Sequence, residues 1–137
     1  MGFDLSKNNL SEIAESGYEF ELKMPGTNEG TGAFITVRGA QSPKVKNFAK
    51  KKFNDLQLKE TQAKRKGRDV DPMTLDEAEE MAIESAAIRV ISWKGIDEGD
   101  KAVPCTEENV KRVLKEHAWI REQVLEESDQ IVNFIKS

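Results

Sequence analysis

The sequence predicts an α+β fold that is mainly α-helical, with an N-terminal β-hairpin followed by about four helices. Three observations predict it. Tyr18, Phe20, Leu22 and Met24 alternate with Glu19, Glu21 and Lys23, the period-2 pattern of a half-buried strand. Ser42, Thr74 and Thr106 each precede a run of apolar residues at three- and four-residue spacing, which is a capped amphipathic helix. Ile120, Val124, Leu125, Ile131, Val132, Phe134 and Ile135 supply a closing helix.

Residues 1–16 predict a flexible or loosely docked N-terminus, with Leu5, Leu10 and Ile13 available to touch the body. Met1-Gly2-Phe3-Asp4-Leu5-Ser6 matches the myristoylation pattern, but no second membrane signal accompanies it. Residues 17–137 read as one domain, with the hairpin over 17–39. Its turn, Pro25 to Gly32, is rich in residues that tolerate positive φ. Phe34-Ile35-Thr36-Val37 favours the return strand. An isolated hairpin is marginal, so its apolar face must pack on helices or on another subunit. These glycines are not a phosphate loop, since they lack the Gly-Lys-Ser/Thr ending.

Ser42-Pro43 opens the next helix, which runs to about Lys66. Val45, Phe48, Ala49, Phe53 and Leu56 form the stripe expected to be buried. Leu58 to Arg68 is nearly all polar and is expected to protrude. Residues 67–72 form a linker, with Asp71 held out of the helical region by Pro72. Thr74 and Glu77 form a capping box, and loss of the Thr74 cap should cost about 1 kcal/mol in a thermal or denaturant melt. That helix reads through Ile88 to Ile91 or Ser92, and Trp93 to Val103 reads as a loop. Thr106 caps a helix carrying Val110, Val113 and Leu114, and His117-Ala118 marks a break.

At 137 residues the chain is one domain by length. No apolar run approaches the roughly 20 residues of a membrane span. The single cysteine, Cys105, excludes an internal disulfide and suits a reducing compartment. The net charge of −4 hides a split. Residues 43–68 hold ten Lys/Arg against two acidic residues, leaving 11 basic and 23 acidic residues elsewhere. That pattern fits an anionic partner, self-association, or a basic helix packed on the protein's own acidic helices.

Chemistry is sparse. One His and one Cys do not make a zinc site, and no nucleophile-elbow pattern accompanies them. The Asp97-Glu98-Gly99-Asp100 loop is too short for an EF-hand. Carboxylate pairs such as Glu79-Glu80 and Glu126-Glu127 read as solvated helix faces. No catalytic, cofactor or metal-binding residue is expected, and the chain reads as a binding protein rather than an enzyme. Among the basic residues, Phe48 and Phe53 fit core packing better than base stacking. Trp93 and Trp119 read either as core aromatics at helix ends or as partner anchors.

The order of elements resembles the tail assembly chaperones of long-tailed bacteriophages. The residues that carry the resemblance are Gly32 to Ala40, Ser42-Pro43-Lys44-Val45, Val90 to Ile96, Val103-Pro104, Thr106 to Leu114, and Trp119 to Val124. It covers most of the chain from about Tyr18. The resemblance implies a non-enzymatic protein of the infected host cytoplasm, absent from the mature virion. Its partners would be the tape measure protein and the tail tube protein, and a homo-oligomer is compatible. The expected client surface combines Tyr18, Phe20, Leu22, Trp93, Trp119, Ile131, Phe134 and Ile135, as a groove for helical segments or an oligomer surface. The alternatives are a nucleic-acid-binding accessory protein using the basic helix 43–68, which salt would weaken steeply, and a minor structural tail protein.

Overall fold

The computed structural model describes residues 2–6, 9–69 and 72–134. The hairpin forms as the alternation requires. Strand β1 (Tyr18–Lys23) pairs antiparallel with β2 (Gly30–Val37), in a register that sets Phe20 opposite Ile35. Asn28 takes the left-handed conformation at the turn, φ 62°, and its N–H donates to the Met24 carbonyl at 2.9 Å.

A third strand joins this hairpin. Helix α3 (Leu75–Arg89) stops at Arg89, and β3 (Val90–Lys94) pairs antiparallel with β2, setting Trp93 opposite Ile35. The helical reading through Ser92 and the loop reading from Trp93 are both corrected. Val90 and Ile91 are β-branched and take strand geometry readily where a partner exists. That partner, β2, lies more than fifty residues earlier. Beyond β3 a two-residue ladder, β4 (Asp97–Glu98) with β5 (Lys101–Ala102), orders the rest of the expected loop.

The helices are α1 (Leu10–Ser16), α2 (Pro43–Arg65), α3, α4 (Glu107–Glu116) and α5 (Ala118–Asp129). Four follow the hairpin, as expected. Helix α1, ahead of it, is an addition: Asn9 caps it, accepting from the Ser11 and Glu12 N–H groups. The caps read from sequence are in place. The Ser42, Thr74 and Thr106 hydroxyls accept from the N–H groups of Lys44, Glu77 and Asn109 at 3.2, 3.1 and 3.2 Å. The Thr74 hydroxyl in turn donates to the Glu77 carboxylate at 3.2 Å. His117 separates α4 from α5. The closing helix ends at Asp129, and a 3-10 turn over Ile131–Asn133 follows it.

One face of the sheet packs on α3, α4 and α5. Phe20, Leu22, Ala33, Ile35 and Val37 meet Ile83 and Ala86 of α3, Val113 and Leu114 of α4, and Ile120 and Val124 of α5. The hairpin thus finds its cover within its own chain. The side amide of Gln123 seals the end of β1: it accepts from the Lys23 N–H at 2.9 Å and donates to the Lys23 carbonyl at 2.8 Å. The opposite sheet face is charged, with Lys94 paired to Glu19 at 3.5 Å and lying over the Phe34 ring at 5.3 Å.

Arg38 ties the N-terminal elements to this body. Its guanidinium donates to Glu15 of α1 at 2.9 Å and to the Ile88 carbonyl at 2.9 Å. Glu15 also accepts from the Ser42 hydroxyl, so one carboxylate links α1 to the start of α2. The Ser42 hydrogen bond, then Arg38, hold the Glu15 carboxyl below its ordinary value of 4.5, against the opposing effect of burial. A lowered folded value stabilises the fold above the unfolded value, and the gain disappears as pH falls through the folded one. Melting temperatures of the wild-type chain and Glu15→Gln should therefore converge as pH drops below about 4.5, the ordinary value. A gap that persists at low pH would contradict this link.

Candidate interaction surface

Helix α2 is 23 residues long, about 35 Å at 1.5 Å per residue. Val45 is its only buried residue among those described. The stripe expected to be buried is covered only at its base: Phe48 is half-buried, while Ala49, Phe53 and Leu56 are exposed, Phe53 by 59%. The cause is which side of α2 meets α3. Lys52 pairs with Glu84 of α3 at 2.7 Å, and its ammonium lies 5.6 Å from the Phe48 ring. Beyond Phe48 the side toward α3 is mostly polar, with Lys52, Asp55, Lys59 and Gln62 beside Leu56 and Leu58. Polar side chains do not draw two helices into close packing.

The outer halves of α2 and α3 therefore enclose an open cleft of about 540 Å³. Leu56 and Leu58 of α2 line it together with Met73 and Met81. Leu58 is 57% exposed and Met73 also faces solvent. Asp55, Glu77, Glu80 and Glu84 rim it against Lys52 and Lys59, so the rim is acidic. Methionine adapts to irregular partners, and leucine adds apolar area. The arrangement suits an apolar helix face flanked by cations.

A second groove, about 480 Å³, lies between the base of α2, the end of α3 and the start of α4. Phe48, Ile88, Ile91 and Val110 mix there with Arg38, Lys44, Glu84, Glu107 and Lys111. Cys105 also lines it, and burial raises its thiol pKa, against a smaller opposing effect from a backbone hydrogen bond with Trp93. Cys105 and His117 flank opposite ends of the ten-residue α4, roughly 15 Å of helix. They are not a hydrogen-bonded pair. No group of three or more His, Cys, Asp or Glu among the described residues is placed to hold a metal ion, and no described helix is long and apolar enough to cross a membrane.

The residues proposed from sequence as a client surface are dispersed. Phe20 and Leu22 lie in the core, which corrects their reading as accessible surface: α3, α4 and α5 cover that side of the hairpin. Tyr18 is half-buried and meets the half-buried Phe134 edge-on, ring centres 5.9 Å apart. Trp93 packs against the core and its indole N–H donates to the Val103 carbonyl at 2.8 Å, clamping the 96–103 segment. Trp119 packs on the same core. Ile131 is 45% exposed, beside Phe134. Ile135 lies outside the described residues, as does Asp71 of the linker. Tyr18, Phe134 and Ile131 are gathered at one end, and Trp93 serves the fold elsewhere.

The residues that sequence reasoning missed are Leu56, Leu58, Met73 and Met81. One signal was present: Leu58 falls off the Val45–Leu56 stripe, so one helix face could not bury both.

Comparison with known proteins gives one match. The family model of YdaY prophage proteins matches residues 45–137, from the first turn of α2 to the end of the chain. No curated protein and no solved structure matches. The match bears out the phage origin that the resemblance implied, and it carries no tail assembly role. It spans about two thirds of the 137 residues, including both walls of the α2–α3 cleft, and the chain belongs to the YdaY prophage protein family.

Proposed function

We propose that the chain is a phage tail assembly chaperone. It binds the tape measure protein in the host cytoplasm and helps recruit tail tube subunits, by protein–protein contact without catalysis, and it leaves before the virion is complete. The observation that carries this reading is the α2–α3 cleft. A holdase needs accessible apolar surface, and Leu56 and Leu58 of α2, Met81 of α3 and Met73 just before α3 provide it outside the core. Phage origin supports the same reading. The client contact is helix-in-groove packing, with cations of the client helix facing Glu77, Glu80 and Glu84.

Co-expression with the phage's tape measure protein, followed by pull-down at low and high salt, tests it. The expected result is soluble, salt-resistant co-purification that Leu58→Glu abolishes while the melting temperature stays unchanged. Free tape measure protein in the wild-type pull-down would reject the reading.

One observation favours a second reading. Lys44, Lys46, Lys50, Lys51, Lys59, Lys64 and Arg65 are all exposed on α2, and so is Phe53, which suits nucleic-acid binding. A complex that disappears with nuclease and weakens steeply with salt would favour this second reading.

A further inference from the structure

The side of α2 turned away from α3 carries a polar stripe that the fold does not use. Asn47, Lys50, Asn54, Gln57 and Thr61 follow one another at three- and four-residue spacing, so they form one line along the helix. That line is about 21 Å long at 1.5 Å per residue. All five residues are exposed. The three amides have no hydrogen-bond partner among the described residues, and the Thr61 hydroxyl donates to the Gln57 carbonyl at 3.0 Å. Lys46 and Lys64 border the stripe on one side, Lys51 and Arg65 on the other. Of these four, Lys64 alone has an ion-pair partner among the described residues, Glu60 at 3.3 Å. The other acidic residue of α2, Asp55, lines the cleft on the α3 side. Buried Val45 and Lys52, which pairs with Glu84, project about half a turn away from the stripe.

We propose that this stripe enters the major groove of duplex DNA. A helix with its side chains is about 10–12 Å across, and the major groove is about 12 Å wide. Asn and Gln amides bond the adenine edge at N6 and N7, and a lysine such as Lys50 donates to guanine O6 and N7. Lys46, Lys51 and Arg65, on the two sides of the stripe, meet the phosphates of the two groove walls. A partner helix fits the stripe poorly, because the stripe offers no apolar seam to bury. Duplex RNA fits poorly too, because its major groove is deep and narrow. The charge split serves the same contact. Residues 43–68 hold ten basic and two acidic residues against 11 and 23 elsewhere, so the field of a polyanion turns α2 toward it. Duplex binding by α2 is a narrower form of the nucleic-acid reading and rests on it, while the client cleft opens on the other side of the helix.

The test is selection of bound duplexes from a randomised DNA library, then fluorescence anisotropy of the full chain with labelled probes. The wild-type chain is expected to prefer the selected duplex over a shuffled one by about tenfold or more. Its log affinity should fall with log salt at a slope of roughly −3, for three phosphate contacts. Lys51→Gln should reduce that slope by about one. Asn54→Ala combined with Gln57→Ala should keep the slope and lose the preference. Replacing adenine by 7-deaza-adenine in the selected duplex should weaken binding about tenfold, because the major-groove N7 acceptor is gone. Every substituted residue is exposed, and circular dichroism checks that helix content is unchanged. A library that yields no preferred duplex would overturn α2 as a major-groove helix. So would single-stranded DNA or duplex RNA bound as tightly as duplex DNA, and either result leaves the broader nucleic-acid reading standing. Binding to no nucleic acid at low salt would remove both, and tape measure capture decides the chaperone reading separately.

Discussion

Leu114→Ala is expected to lower the unfolding free energy by about 2–5 kcal/mol, the range for emptying a buried leucine site. Leu114 is fully buried on α4, in the cluster that joins the sheet to α3 and α5. Truncation removes its contacts with elements from three parts of the chain, which cannot all move inward together. The lost transfer energy and the cavity therefore add. Each kcal/mol should lower the melting temperature by roughly 3–4 °C in a chain of this size. Leu58→Ala is the paired control, because Leu58 is 57% exposed and outside that cluster. Its effect should stay within about 0.5 kcal/mol. Equal losses from the two variants in denaturant melts would show that the core is not where the structure has it.

Gly95→Ala is expected to be the second severe change, although it adds one methyl group. Gly95 has φ +77°, a conformation that costs a non-glycine residue about 1–3 kcal/mol. A Cβ there would also stand 2.7 Å from the Gly32 carbonyl oxygen and 3.2 Å from the Ala33 Cα. Those are backbone atoms of β2, next to the Phe34–Lys94 pairing, so relief requires the sheet to shift. Overpacking of this kind adds about 1–3 kcal/mol. Gly99 separates the two contributions. Its φ is +62°, and a Cβ there would meet nothing within 4 Å. Gly99→Ala should therefore show the backbone cost alone. If the two variants melt alike, the close approach of Gly95 to β2 is wrong.

How much was legible follows from how far each interaction reaches along the chain. The caps at Ser42, Thr74 and Thr106 each bond an N–H two or three residues away, and sequence placed all three. The α1 start was equally local. Asn9 accepts from the Ser11 and Glu12 N–H groups, and Leu10, Ile13 and Ala14 keep helical spacing. That signal was available, and expecting a flexible terminus obscured it. Strand β3 differs. Val90 and Ile91 continue the apolar spacing of α3, so periodicity alone extends the helix. Only pairing with Phe34 to Val37 makes those residues a strand.

The interaction surface was the least legible part. Spacing identified an apolar stripe on α2, but an amphipathic helix does not state whether anything covers its stripe. By itself the sequence determined the local grammar: an alternating hairpin, helices opened by hydroxyl caps, a break at His117, and a basic segment set against acidic ones. Those features rest on contacts within a few residues and on composition. Tertiary structure alone decided that Phe20 and Leu22 are core while Phe53 and Leu56 face solvent. Burial needs a partner surface, and here the partners are α3, α4 and α5, which cover the hairpin and leave the outer face of α2 bare.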